Sequence, residues 1–483
     1  MTRTRTILFW VAAAALLIGH VIVAWHSLFV WRFWEDEAFN LTVPRNLLAG
    51  LGYASDGALS GSTITPFDPR ISTGPAVLLP VALLLATGMD PVMAGRLIPL
   101  AYWILLLAGL FVIGRRIGGR WAALLAVAVP LAFTASAGIS PIQGPADVLG
   151  EIPAAALIVW ALIVLPRRAW LAGLLVGLAI QAKLIALLAL PAFAVALWVL
   201  SDGTGWARLR DLLRRAWLPL LCVAVPTLLF ELSALLSLGF TGFVDHVREL
   251  WRFVRSGGQG DAASTVAQKL GTLAESWSLP AVVAVVGAIL AVGLALFGIV
   301  RRWRSAAEAD RLVIAYALAA FVGAIAFLGW WATASRLPLW VRHPAPGIYA
   351  FFPIIAAVAI WAVVRMPRHT VARTAGVVAA SVLAAIVAAG ATLHVASTFE
   401  PRSLTLPMQR AEVEPLAEWV TENDVEWLAA DPWGWAVAPI VLTGAHLGLF
   451  DAPAMAGVPR LTSAECTTEV LVEGDRHRIC KAP

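Results

Sequence analysis

Long apolar runs separated by short polar turns fill the first 396 residues, and after them the pattern changes to short mixed segments. A helix that crosses a bilayer needs roughly 20 predominantly apolar residues. About eleven runs approach that length: residues 7 to 30, 92 to 113, 121 to 138, 148 to 165, 169 to 181, 184 to 200, 216 to 238, 277 to 300, 311 to 331, 347 to 364 and 372 to 396. The fifth and sixth are nearly continuous and are divided here at Gln181-Ala182-Lys183, because a lysine inside one long helix is costly in hydrocarbon. Residues 75 to 88 are too short to cross, and Gly74, Pro75 and Pro80 shorten any helix further, so a re-entrant or interfacial segment is predicted. The expected fold is an all-α polytopic membrane protein of residues 1–396, followed by a small α/β domain of residues 397–483. In that domain Trp427 to Ala430 and Ile440 to Leu442 read as strands, and Glu412 to Glu426 as the solvated acidic face of a helix.

Composition agrees with this class. Hydrophobic residues make up 60% of the chain and charged ones 13%, where soluble domains are nearer a quarter charged. The net charge of +5 does not point to nucleic acid, because the arginines gather in alternate turns. With Arg3 and Arg5 inside, the turns carrying Arg115, Arg116 and Arg120, then Arg167 and Arg168, then Arg208, Arg210, Arg214 and Arg215 are cytoplasmic by the positive-inside rule. Arg301, Arg302, Arg304 and Arg311, then Arg365, Arg368 and Arg373, continue that register. It places residues 31 to 91, 139 to 147, 238 to 276, 332 to 346 and the tail on the exterior. The first run has no small-residue cleavage site after it and reads as an uncleaved anchor. Cys222 falls in a span, whereas Cys466 and Cys480 share the exterior tail, where a disulfide is expected in preference to zinc.

The polar residues that stand out lie on that exterior side. Trp34-Glu35-Asp36-Glu37 places three carboxylates directly after the first span, at the start of a segment, Asp36 to Ala49, that reads as an amphipathic surface helix interrupted at Pro44. Acids at a helix start are favoured by the dipole, and equally one of them suits a general base. Asp147 and Glu151 are four apart and would share a helix face at the edge of the fourth span. Glu231, inside its span, is a functional group by default or the partner of Arg96 in a salt bridge across the bundle. Arg96 and Arg45 read as structural partners of loop carboxylates. Trp330, Trp331 and Trp340 read as an interfacial belt, and Val247 to Val254, with Arg248, Arg252 and Arg255 in and beside it, as a surface helix.

Several of these residues form a recognisable order. Asp36-Glu37-Ala38-Phe39-Asn40, Arg45-Asn46-Leu47-Leu48-Ala49-Gly50 and Gly52-Tyr53 are followed by Ala94-Gly95-Arg96-Leu97-Ile98-Pro99 and Gly114-Arg115-Arg116-Ile117-Gly118-Gly119-Arg120. Gly150-Glu151-Ile152-Pro153 and the stretch from Gly173 to Pro191 around Lys183 complete the set. Together they resemble the polyprenyl-phosphate-sugar-dependent type C membrane glycosyltransferases (GT-C), which include the protein mannosyltransferases and the lipid A aminoarabinose transferase. The resemblance covers roughly the first 200 residues and the remainder in architecture alone.

The resemblance implies a bacterial plasma (inner) membrane enzyme, a polyprenyl-phosphate-linked sugar donor and inversion at the anomeric carbon. It matches Asp36 to the family's loop acid, with Glu37 beside it, and matches a second acidic position to either Asp147 or Glu151. Lys183, and then Arg342 and His343, are the candidates for the donor phosphate. Scattered acids are compatible with a divalent cation, but no spacing defines a ligand set. The sugar is open, and the acceptor is a protein, a lipid or a glycan. The competing readings are a transporter or flippase, which would place ionisable groups near the midplane, and a receptor whose tail binds a ligand.

Overall fold

The computed structural model describes residues 3–63, 73–135, 141–256, 263–303, 308–367, 370–431 and 433–482. Arg304, Arg368, the side chain of Arg255 and residues 136–138 of the third expected span lie outside them. Among the described residues seven helices are long and apolar enough to cross a membrane: Arg3–Phe29, Pro91–Gly118, Gly205–Arg252, Ala281–Arg302, Asp310–Thr333, Ala345–Val364 and Val371–Ser397. Arg120–Ala132, Glu151–Val164, Ala169–Ala182 and Leu184–Leu200 occupy the other expected positions but are shorter, so length and composition do not confirm the expected count of eleven crossings. The segment expected not to cross forms the short helix Pro75–Leu85.

Where each helix sits follows from its composition. Helices that are apolar all round either fill the core or face lipid. Glu151–Val164 and Ala345–Val364 are buried along nearly their whole length, whereas Gly205–Ser256 and Ala281–Arg302 expose Leu220, Leu229, Val282 and Ile289. Glu231 does not meet Arg96: it lies 3.3 Å from His246, beyond a break in the helix at Gly239. Arg96 is held elsewhere.

The segment after the first span departs from expectation in two ways. Glu35–Leu48 is one uninterrupted helix that runs through Pro44, and residues 37 to 44 are all buried rather than lying on a membrane surface. Proline at position 44 removes one backbone donor, a loss offset by tertiary anchors: Asn40 donates to Thr73 and to the Val148 carbonyl, and Arg45 donates to the carbonyls of Val441 and Gly444. The two latter residues belong to the tail, which covers this helix.

The tail is a five-stranded sheet with helices. Strands β1 (Trp427–Ala430), β2 (His446–Leu449), β3 (Arg460–Thr462), β4 (Val470–Glu473) and β5 (Arg478–Cys480) lie in the order β2-β1-β3-β5-β4. β1 pairs parallel with β2 and β3, and β5 pairs antiparallel with β3 and β4. Residues 440 to 442, expected as a strand, are in the helix Val437–Thr443. A short apolar run does not discriminate strand from helix, and here Gly444, at φ 94°, caps it. The helix Leu406–Glu422 carries the acidic run as far as Glu422, with Asp424 and Glu426 beyond it, and Glu412 is buried against His477 at 2.5 Å instead of solvated. Cys466 and Cys480 are joined, closing a loop that contributes about 3 kcal/mol in the chain-entropy model.

Besides the Arg45 bonds, contacts of Gln409 and Asp56 help dock the tail on the bundle. Gln409 bonds both the N–H (2.6 Å) and the carbonyl (2.8 Å) of Phe33, three residues before Asp36. Asp56 accepts from Leu447 N–H at 2.7 Å and lies 3.1 Å from His446 Nδ1. The hydrogen bond to Asp56 raises the His446 pKa above its ordinary 6.5. The resulting stabilisation is complete below the unfolded value and is lost as pH rises through the raised folded value. Thermal midpoints followed from about pH 5 to about pH 9 should fall as the imidazole deprotonates. His446→Gln should remove that component of the slope; an identical profile in the variant would assign it elsewhere.

Candidate active site

Two groups of charges form around the helix Glu35–Leu48. In the first, the Arg96 guanidinium meets Glu37 with both ends, Nε to Oε1 at 3.0 Å and Nη2 to Oε2 at 2.8 Å, and both side chains are fully buried. Its remaining N–H groups reach the carbonyls of Leu28, Trp31 and Arg32 at 3.3, 3.0 and 2.9 Å. Glu37 also accepts from the N–H groups of Trp34 and Val148. Asp147 belongs to this group: its carboxylate accepts from Gln143 N–H at 2.6 Å and Gly144 N–H at 3.2 Å. Burial, reinforced by the Glu37 charge, raises its pKa well above the ordinary carboxylate range. These residues are spent on fixing the first span, the helix and the loop before Glu151.

The second group is less satisfied. Asp36, one residue from Glu37 and so turned about 100° around the helix, pairs with Arg342. Trp340 and Trp34 lie on the Arg342 guanidinium, 4.7 and 5.9 Å from it, and its Nε has no partner among the described residues. Lys183 Nζ lies 2.9 Å from Glu151 Oε1, an ion pair without hydrogen-bond alignment that leaves both carboxylate oxygens without a donor in good geometry. Burial lowers the Lys183 pKa, opposed by Glu151, and the ammonium also feels the charges of Arg342 and Asp36. His343 is held well below its ordinary value by loss of water and by the charges of Arg342, Lys183 and Lys269, so its imidazole is neutral at pH 7.

Backbone packing sets the second pair. Lys183 follows the last turn of Ala169–Ala182, where the terminal carbonyls need donors. Gly74 N–H bonds the Ala182 carbonyl at 3.0 Å, and a Cβ at Gly74 would come within 2.0 Å of the Gln181 oxygen. A Cβ at Gly150 would meet the Ala182 oxygen at the same distance. Glycine at both places lets the residue-150 loop reach the helix end, which brings Glu151 to Lys183.

Of the residues singled out in the sequence, Asp36, Glu151, Lys183, Arg342 and His343 are thus brought together, whereas Glu37 and Asp147 are drawn to Arg96. Lys269 was not anticipated. It is fully buried, with Nζ on the carbonyls of Trp331 (2.5 Å) and Ala334 (2.6 Å). The signal for it was Thr265-Val-Ala-Gln268, a capping box that starts the helix Val266–Glu275. Trp331 is correspondingly core rather than interfacial belt. No group of three or more His, Cys, Asp or Glu arranged to hold a metal ion occurs among the described residues.

This architecture extends over the whole of a known structure. ArnT from Cupriavidus metallidurans bound to undecaprenyl phosphate superposes with a TM-score of 0.59 at 14% identity, covering 99% of this chain and 98% of that one. Its apo form gives 0.54 at 13% identity, with 99% and 97% covered. The chain has the type C membrane glycosyltransferase fold. No protein-family model and no curated protein matches the sequence. The type C likeness therefore rests on the fold, and the roles of individual residues rest on the geometry above.

Proposed function

We propose that this chain is an inverting glycosyltransferase that moves a sugar from a polyprenyl-phosphate carrier to an acceptor hydroxyl on the exterior face of the membrane. The observation that carries this reading is the meeting of two acid–base pairs, Asp36–Arg342 and Glu151–Lys183, at one incompletely satisfied site in a type C fold. The undecaprenyl phosphate bound to ArnT supports a carrier of that class.

The chemistry follows from charge. A carrier phosphodiester bears one negative charge, and the phosphate released when the glycosidic bond breaks bears up to two. Lys183 and Arg342 therefore hold the leaving group more tightly than the substrate, which is the condition for lowering a barrier. As Arg342 turns to the phosphate, the Asp36 carboxylate is released to take the proton of the acceptor hydroxyl. The acceptor oxygen then bonds to the anomeric carbon while the carbon–phosphate-oxygen bond breaks, its electron pair leaving with the phosphate. One displacement inverts the centre. Glu151 keeps Lys183 charged and in place, and neutral His343 adds no competing charge.

Lys183→Met combined with Glu151→Gln leaves no buried charge unpaired, so the protein should fold while donor turnover falls about 100- to 1,000-fold, the usual cost of removing one stabilising donor. Initial rates against donor concentration in lipid nanodiscs measure this. Donor kinetics equal to wild type in a folded double variant would remove Lys183 from the site.

A further inference from the structure

At the opposite end of the bundle four arginines line a polar cavity. Helices Glu151–Val164 and Ala169–Ala182 meet the candidate site at Glu151 and Lys183, so their other ends lie roughly 20 Å away at 1.5 Å per residue. There a cavity of about 930 Å³ is lined by Arg116, Arg167, Arg215 and Arg311, with Asp202 as its one described carboxylate. Arg311 is fixed by the carbonyls of Val199 and Ser201 and by Asp202, and Arg215 by Asp202 and Asp211. Arg116 gives one N–H to the Ile163 carbonyl, and Arg167 has no acidic partner among the described residues. The wall also holds Tyr316, 1% exposed, whose hydroxyl lies beside the Arg116 guanidinium. Four guanidinium groups against one lining carboxylate leave excess positive charge that calls for anionic oxygen.

A second cavity says what carries that oxygen. An apolar groove of about 350 Å³ shares Leu165 and Leu197 with the arginine cavity and runs between Ala169–Ala182, Leu190–Leu200 and the first half of Gly205–Ser256. It reaches Leu190, ten residues before Leu200, and so extends about 15 Å from the arginines. That is half of a hydrocarbon core of roughly 30 Å, the depth of one leaflet.

We propose that the arginine cavity and its groove bind an anionic phospholipid of the leaflet on the arginine-rich side, with the phosphate among Arg116, Arg167, Arg215 and Arg311 and one acyl chain in the groove. Guanidinium forks match phosphate geometry, and basic pockets between spanning helices suit lipid headgroups. The chain length lined by the groove fits an acyl chain and falls well short of a polyprenyl tail.

The test is lipid retention, which needs no sugar transfer and so stands or falls apart from the activity proposed above. Native mass spectrometry of purified wild-type protein offered equimolar phosphatidylglycerol and phosphatidylcholine should show preferential retention of phosphatidylglycerol. Arg116→Gln with Arg167→Gln should lower that retention on the order of tenfold. Ala194→Trp, which fills the groove from its exposed wall with every arginine in place, should lower it as well. Asp36→Asn should retain the lipid as wild type does. Equal retention of the two lipids by wild type, or unchanged retention in both folded variants, would overturn the proposal. Displacement of phosphatidylglycerol by polyprenyl phosphate at this site would overturn the phospholipid assignment in favour of the carrier.

Discussion

Asp36→Asn should slow sugar transfer about 100- to 10,000-fold, the range that a positioned general base contributes, while the donor still binds. The amide keeps the shape of the carboxylate and can still face Arg342, but it has no proton affinity to offer the acceptor. Asp36→Ala is a poorer test, because it also removes an acid from the first helical turn. Transfer rates and donor affinity on the purified variant in nanodiscs separate the two effects. A variant that transfers at the wild-type rate would reject Asp36 as the base. Loss of donor affinity with an unchanged maximal rate would make its role the placement of Arg342 instead.

Arg96→Ala should destabilise the bundle by about 3–5 kcal/mol, because it leaves Glu37 buried without its partner. It would also strip donors from the carbonyls of Leu28, Trp31 and Arg32, the turn that leads from the first span to the site. Glu37→Gln should be costly for the same reason, and activity lost in either variant should track stability. The check is the thermal midpoint in nanodiscs beside the transfer rate. A Glu37→Gln protein with normal stability and selectively lost transfer would move the general base one residue along.

The sequence and the structure agree where a single local signal decides. Apolar length located the helices, the cost of a buried lysine located the break at Lys183, and the shared position of two cysteines in the tail located the disulfide. Pairings across the fold carry no such signal. Asp36 and Arg342 were each legible as polar residues at span edges, but 306 residues separate them, and neither periodicity nor spacing names one from the other. Asp147 and Glu151 look alike at four apart. What divides them is that Gly150 lets Glu151 reach the end of another helix, while Asp147 folds back on its own loop. Pro44 does not interrupt its helix because local propensity is outweighed by burial under the tail, and an acidic run does not reveal that His477 lies against one of its members, Glu412.

The glycosyltransferase reading rests on the donor, so the donor is what should be measured. Purified wild-type protein in nanodiscs, offered a panel of polyprenyl-phosphate sugars with candidate hydroxyl acceptors, should release polyprenyl phosphate and form a product of inverted anomeric configuration with at least one donor. That activity should fall about 100-fold or more in Asp36→Asn. Release of carrier phosphate at equal rates in the wild-type and Asp36→Asn proteins, or a product of retained configuration, would contradict the account.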